Sequence, residues 1–269
     1  MMGPLHVFLH GSTIKLKRYA EFIWYRALAE IKADVSRGFL GFAWWIIEPV
    51  LYMGAFYVIF GLIFRQRGAD YVPFLLCGLV VWKWFDSALR NAATSITHNM
   101  WLIYQVYLPK VVFPIIATLI STLRFALVFS ILLLFLLASG LPVTAAWFTD
   151  LPLLLLLQTA LILGLAMIFA AIVPFVPDVK FLIDNGLLLL FFLSGIFFRF
   201  DAIPASLRPF FELNPMVVII HGYREILIAG QTLEWHALRP VVLMSAGFII
   251  LGAALLSRWD RIYAKRAFL

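Results

Sequence analysis

Three charged side chains lie close together in a strongly apolar stretch of the sequence, the segment VWKWFDSALR. Lys83 precedes Asp86 by three residues, and Arg90 follows Asp86 by four. Residues at these spacings share one face of an α-helix, so the carboxylate can reach both cations. If this helix spans a bilayer, a charge near its centre costs about 2.5–3.5 kcal/mol on insertion scales, and such charges pair or face a wet cavity. The stripe is therefore expected to point inward, either locking helices together or lining a polar path.

Two more charged residues in apolar segments, Glu48 and Arg124, are expected to join this network or to pair separately. Other chemistry is not indicated by the sequence. It contains no G-x-x-x-x-G-K-[ST] segment for binding ATP and no G-x-S-x-G around Ser194. The five His residues are scattered, and the single Cys77 is expected to be a buried thiol. Neither catalytic nor metal-ligating residues are predicted.

The composition indicates a protein embedded in lipid. The chain has 269 residues, of which 64% are hydrophobic and 13% charged, with a mean hydropathy of +1.00. Soluble domains carry about 25% charged residues, and a soluble core of this size cannot bury so much apolar surface. The net charge of +7 is therefore read as a sign of orientation in a membrane, and nucleic acid is not an expected partner.

Six apolar segments are each close to the 20 residues or so that cross about 30 Å of hydrocarbon, which predicts an all-α membrane protein. A further apolar segment, 203–230, is interrupted by Pro204, Pro209 and Pro215. It predicts two short re-entrant helices between spans five and six, with their backbone buried in protein. The predicted spans are 41–64, 71–97, 111–138, 151–175, 180–199 and 237–257.

The distribution of Lys and Arg predicts the orientation. Of the 21 basic residues, 12 fall on the side that holds both termini, six on the other side and three inside spans. Cytoplasmic segments carry the excess of positive charge, so both termini are expected in the cytoplasm. The chain then forms one transmembrane domain over 1–269, with a cytoplasmic region at 1–40, the spans within 41–257 and a tail at 258–269.

An amphipathic helix is predicted over 14–35, before the first span. Its basic face can lie against lipid headgroups or a partner protein while its apolar face is covered. The apolar stripe consists of Leu16, Ala20, Ile23, Trp24, Ala27, Leu28, Ile31 and Val35.

Three motifs occur in order along this frame. The first is RGFLGFAWWIIEP at 37–49, the second is NMWLI at 99–103 followed by LPK at 108–110, and the third is LNPM at 213–216 followed by Tyr223-Arg224. In this order and spacing, over nearly the whole chain, the sequence resembles the type-2 ATP-binding-cassette exporter permeases. The most similar branch exports lipid-linked polysaccharides such as O antigen, capsule or teichoic acid.

The resemblance implies a transport permease, not an enzyme, in the bacterial inner membrane. It implies a homodimer that works with two copies of a separate cytoplasmic P-loop ATPase, which would bind ATP and Mg, so no cofactor is expected in this chain. The interface helix and the loop between spans two and three would contact that ATPase. A short amphipathic helix in this loop rests on lipid or fits a partner groove. The residues assigned to coupling are Arg37, Asn99, Trp101, Tyr104, Gln105, Tyr107 and Lys110.

A long polar polymer has to cross the membrane without exposing its hydroxyls to hydrocarbon, which argues for a lumen between two protomers. Aromatic faces can stack on the C–H surfaces of many sugars, and in the resembling family spans one and five flank a lateral opening. The residues assigned to the path or its gate are Trp44, Trp45, Tyr52, Tyr57, Phe197 and Phe198.

Two alternatives to polysaccharide export stay open. A related permease for a drug, a lipid or a small amphiphile would have a pocket closed to polymer. An intramembrane glycan-lipid transferase would need carboxylates or His residues facing one cavity, and the sequence supplies no spacing for them. Whether the Lys83–Asp86–Arg90 stripe touches cargo or holds helices together is also open.

Overall fold

Helices make up all the regular structure in the described part of the protein. The computed structural model describes residues 5–36, 71–199 and 206–266, together with 43, 47, 50–51, 54–55, 58–59 and 203–204. Four helices within these residues are long and apolar enough to cross a membrane, and they match predicted spans two, three, four and six. They are α2 (Tyr71–Ala93), α5 (Val112–Ala138), α6 (Ala146–Ile172) and the Trp235–Asp260 part of α10 (Trp235–Arg266). Most of predicted span one, 41–64, lies outside the described residues.

Helix α2 lies between α5 and α6 and is apolar on nearly every side, as expected for a helix surrounded by protein. Trp84 stacks on Phe125 of α5, with ring centroids 4.1 Å apart, and its Nε1 donates to Thr122 Oγ1 at 3.2 Å. On the other side, the fully buried Gln158 of α6 donates through Nε2 to the Val81 carbonyl oxygen at 3.1 Å. Aromatic packing and single polar contacts thus fix α2 against both neighbours.

Helices α6 and α10 approach each other closely because glycine occupies both sides of the contact. A Cβ atom at Gly164 would lie 2.7 Å from Phe248 Cβ, and one at Gly252 would lie 2.7 Å from Met167 Cβ. Small residues let membrane helices bring their backbones together and gain van der Waals contact. Of these two helices, α6 also packs against α2.

The helix in predicted span five is shorter than the apolar pattern indicates. Helix α7 (Val179–Leu193) has 15 residues and ends at Leu193 instead of near 199. At 1.5 Å per residue it is about 22 Å long, against about 30 Å of hydrocarbon. The chain turns at Gly195, whose φ of +72° is a left-handed conformation that residues with a Cβ rarely adopt. A hydropathy pattern does not detect such a turn, because glycine does not interrupt an apolar run. The six-span topology stays a prediction.

The Pro-containing segment forms short helices, as predicted. Helix α8 (Arg208–Glu212) is followed by α9 (Pro215–Arg224) and by one π-helical turn (Glu225–Ala229). Asn214 caps α9, because its Oδ1 accepts a hydrogen bond from the Met216 amide at 3.0 Å, and Pro215 has no N–H to satisfy in the first turn. Helix α9 is buried against α2, α6 and α10. Insertion of these helices into a membrane as re-entrant elements stays a prediction.

Helix α1 (Leu5–Ser36) contains the predicted amphipathic helix. Its Phe22, Ile23, Ala27 and Ile31 pack on one face of α5. Trp24 and Leu28, which the sequence places on the same stripe, are 46% and 41% exposed. The described protein itself therefore covers only part of the predicted stripe, and contact of the rest with lipid headgroups or a partner stays a prediction. Two short helices, α3 (Ser95–His98) and α4 (Met100–Gln105), connect α2 to α5.

Candidate functional site

Charged residues of α2 and α7 form one ionic network. Arg90 Nε donates to Asp86 Oδ1 at 2.8 Å, a contact between successive turns that the spacing predicts. The same guanidinium reaches α7, where Nη1 donates to Asp184 Oδ1 at 2.5 Å and Nη2 donates to the Asp184 carbonyl oxygen at 3.2 Å. Lys180 Nζ lies 2.7 Å from Asp184 Oδ2. Arg90 therefore holds a carboxylate on each of two helices.

The sequence analysis did not assign Asp184 or Lys180 to this network. Asp184 lies in an apolar segment, and Lys180–Asp184 has the same opposite-charge spacing as Asp86–Arg90. That repeated spacing is the signal that could have found it. Its pairing with Arg90, 94 positions earlier in the chain, depends on how α2 and α7 pack and has no local signal.

A cleft of about 190 Å³ lies between α2 and α7 beside these charges. Arg90 pairs with Asp184 and Trp82 lies beside Phe191, so the two helices run antiparallel, and Lys83 lies level with Phe191, about two turns from Arg90. The Arg90 side chain is 35% exposed and that of Asp184 27%. Charged and apolar side chains share the lining of the cleft, which includes Lys83, Asp86, Arg90, Leu76, Leu79, Leu187, Leu188 and Phe191.

Arg124 lines a separate cleft of about 410 Å³, enclosed by α1, the α3–α4 segment and α5. In this cleft Arg26 Nε donates to Glu30 Oε1 at 2.7 Å, and Arg26 Nη2 lies 3.5 Å from Asn99 Oδ1. The structure thus places Arg124 with a residue assigned to coupling and not in the cleft that holds Asp86. Glu48, the other candidate for the network, lies outside the described residues.

The segment after α4 is fastened to the last helix by Asp260, which the sequence analysis did not single out. Tyr107 Oη donates to Asp260 Oδ2 at 2.8 Å, and the Lys110 amide donates to Asp260 Oδ1 at 3.0 Å. The Lys110 side chain is only 2% exposed, with Nζ 3.9 Å from the same carboxylate. The Lys110 side chain is therefore packed inside the protein in this structure, and its contact with a partner would require a rearrangement.

The other residues assigned to coupling or to the path divide into three groups. Trp101, Tyr104 and Gln105 are exposed on α4, as a docking surface requires. Phe197 is buried, with its ring 5.1 Å from that of Phe191, and Phe198 packs edge-on against another ring at 5.6 Å. Both Phe residues pack between helices in this structure. Arg37, Trp44, Trp45, Tyr52 and Tyr57 lie outside the described residues.

Arg224, at the end of the third motif, joins three segments through its guanidinium. Nε and Nη2 donate to the Phe74 carbonyl oxygen at 3.2 and 3.1 Å. Nη1 donates to the Gly195 carbonyl oxygen at 2.6 Å, and Nη2 to that of Ile196 at 2.8 Å. The group also lies 3.4 Å from the centroid of the Phe74 ring. Arg224 thus satisfies the carbonyl groups that the turn after α7 leaves free, and ties that turn to α2.

Comparison with known proteins gives the class of the molecule. The chain belongs to the ABC-2 type transporter family, whose model matches residues 23–228. It is 24% identical to an O-antigen export system permease protein RfbA of Klebsiella pneumoniae, over 88% of this chain and 91% of that protein. An RfbA of Myxococcus xanthus is 28% identical over 84% of this chain and 86% of its own length. The polysialic acid transport protein KpsM of Escherichia coli is 28% identical over 85% and 89%.

Proposed function

We propose that this chain is the membrane subunit of an ATP-driven exporter that moves a lipid-linked polysaccharide across the bacterial inner membrane. The observation that carries the proposal is the similarity, over more than four fifths of the chain, to permeases named for O-antigen export and to a protein named for polysialic acid transport. O antigen and polysialic acid are both polysaccharides. The type-2 permease frame alone would not specify a sugar polymer.

The working assembly in this proposal is a homodimer with two copies of a cytoplasmic ATPase. ATP and Mg are bound by that partner, since the sequence contains no P-loop. The exposed side chains Trp101 and Tyr104 on α4 support docking of a partner at this face. Both termini lie in the cytoplasm, and the six spans, with span five as the short helix α7, form one permease domain.

Deletion of the gene in its native bacterium tests the proposal. The polysaccharide at the cell surface is expected to disappear while lipid-linked polymer accumulates inside, and a plasmid copy of the gene restores export. Surface polymer is measured on intact cells with a lectin or antibody, and retained polymer in lipid extracts. Unchanged surface polymer in the deletion strain would contradict the proposal. Sensitivity to a small amphiphile with unchanged polymer would favour the other kind of permease.

A further inference from the structure

We propose that Asp260 is a positioning residue for export, which fastens the segment after α4 to α10 so that α10 follows the ATPase when the ATPase moves α4. The inference rests on the proposed function, in which a cytoplasmic ATPase docks at α4. The chain itself joins this segment to α5, and Asp260 adds a connection to the last helix.

The segment after α4 takes its position from contacts with other elements. Residues 106–109 lie between α4 and α5 and form neither helix nor strand, so their polar groups need partners elsewhere. Asp260 supplies two acceptors, since Oδ2 accepts from the Tyr107 hydroxyl at 2.8 Å and Oδ1 from the Lys110 amide at 3.0 Å. Because the two donors lie three residues apart, one carboxylate fixes both the position and the direction of the segment.

Apolar packing closes the same junction. Leu108 lies between the two donor residues and belongs to one buried cluster with Leu256 and Tyr263 of α10. Lys110 Nζ donates to the Leu108 carbonyl oxygen at 3.2 Å and lies 3.9 Å from Asp260 Oδ1. The Asp260 side chain is only 15% exposed, so its hydrogen bonds are stronger than they would be in water. The segment and the inner part of α10 are therefore expected to move together.

Helix α10 is long enough to carry a displacement through the membrane. It runs from Trp235 to Arg266 over 32 residues, which makes it about 48 Å long against about 30 Å of hydrocarbon. Asp260 lies about 38 Å along this axis from the start of the helix, at 1.5 Å per residue. Pro240, where a proline could bend the helix, lies in the second turn and far from Asp260.

The first turns of α10 lie against the helix that holds the turn after α7. Leu238 and Val241 share a buried cluster with Ile219 and Ile220 of α9. Helix α9 ends at Arg224, which donates to the carbonyl oxygens of that turn. A displacement of α10 would therefore reach α9 and the turn, which lie on the outer side in the predicted orientation.

The test measures the polymer exported per ATP hydrolysed by the purified permease–ATPase complex in proteoliposomes. The complex is isolated by size exclusion, so free ATPase does not contribute, and a loss of folded complex alone leaves this ratio unchanged. Tyr107→Phe removes one of the two hydrogen bonds to Asp260 and is expected to lower the ratio by about threefold. Tyr25→Phe on α1 is the matched control, since this tyrosine is 70% exposed against 71% for Tyr107, and it leaves the ratio unchanged.

A double-mutant cycle separates positioning by Asp260 from direct contact of Tyr107 with the ATPase. Asp260→Ala removes both acceptors and is expected to lower the ratio by about tenfold. In that background Tyr107→Phe has no further effect, because the hydroxyl has already lost its acceptor. The same loss from Tyr107→Phe in both backgrounds would overturn the proposal.

Equal ratios for the Tyr107→Phe and Tyr25→Phe complexes would also overturn it, and this comparison decides the question even if Asp260→Ala does not fold. If the natural complex exports polymer while these two ratios are equal, only this inference fails and the proposed function stands. A natural complex that hydrolyses ATP and exports no polymer would contradict the proposed function and this inference with it.

Discussion

Replacement of Arg224 by Ala is expected to destabilise the protein more than any other single change near the C-terminal end of α7. The guanidinium serves the carbonyl oxygens of Phe74, Gly195 and Ile196. Ala removes all of these donors at once, and no other side chain has been found in the described structure to donate to Gly195 or Ile196. The turn after α7 would then lose its tie to α2.

The magnitude follows from the number of carbonyl groups left without a donor. A hydrogen bond from a charged donor contributes about 1.5–3 kcal/mol, and the low end applies because Arg224 is only partly buried. Phe74 lies inside a helix and keeps its backbone partner, so Gly195 and Ile196 dominate the loss. Arg224→Ala is therefore expected to lower the free energy of unfolding by about 3 kcal/mol, and Arg224→Lys by about half of that, because an amine cannot serve the three carbonyl groups at once.

The assay is reversible unfolding by SDS in mixed micelles, followed by Trp fluorescence, with Arg239→Ala on an exposed face of α10 as the control. Gly78→Ala adds a second test, because a Cβ there would lie 2.7 Å from Arg224 Nη2. It is expected to cost about 1–3 kcal/mol in the natural protein and much less in the Arg224→Ala background. A loss below about 1 kcal/mol for Arg224→Ala, or additive effects of the two changes, would refute the reasoning.

Three further predictions concern other contacts. Gly164→Ala places a Cβ 2.7 Å from Phe248 Cβ, so the same unfolding assay should show a loss of about 1–3 kcal/mol, whereas Gly247→Ala, with open space around it, should be neutral. Asp260→Asn weakens the hydrogen bonds that Asp260 accepts from the Tyr107 hydroxyl and the Lys110 amide, and is expected to cost about 1–3 kcal/mol and to lower export. Burial, and then the charge of Asp260, raise the pKa of Tyr263 above 10, so stability from its neutral hydroxyl is present below pH 10 and falls as pH rises above it. Tyr263→Phe should flatten that alkaline decline.

Each of these predictions has an outcome that would contradict it. Equal stabilities of the Gly164→Ala and Gly247→Ala proteins would mean that α6 and α10 are not in close contact. Full stability of Asp260→Asn would mean that the hydrogen bonds from Tyr107 and the Lys110 amide do not depend on the charge of residue 260. An alkaline decline of the same size with Phe at 263 would show that the hydroxyl, which donates to the Ala171 carbonyl oxygen at 2.8 Å, does not control it.

Local patterns in the sequence predicted the long helices well. The apolar runs predicted α2, α5, α6 and α10 within a few residues, because lipid selects for a simple property, a continuous apolar surface of sufficient length. The prolines at 209 and 215 predicted the short helices α8 and α9, since proline without an N–H suits a first turn.

Features that depend on contacts between distant segments were not visible in the sequence. The chain turns at Gly195, just after α7, in a left-handed conformation. Because glycine does not interrupt an apolar run, the hydropathy pattern continued past the end of the helix. Arg224 and Asp184 matched a motif and a charge spacing, but the partners that give them their roles lie 150 and 94 positions away. Lys110 was expected at a surface and is buried on Asp260, which no local pattern links to it.

Export by the reconstituted assembly tests the central claim most directly. The permease and its ATPase are placed in proteoliposomes with lipid-linked polymer in the outer leaflet, and polymer that becomes resistant to an added glycosidase is measured over time. Protection of the polymer is expected to require ATP, the ATPase and this chain together. A folded complex that hydrolyses ATP while all of the polymer stays accessible to the glycosidase would contradict it.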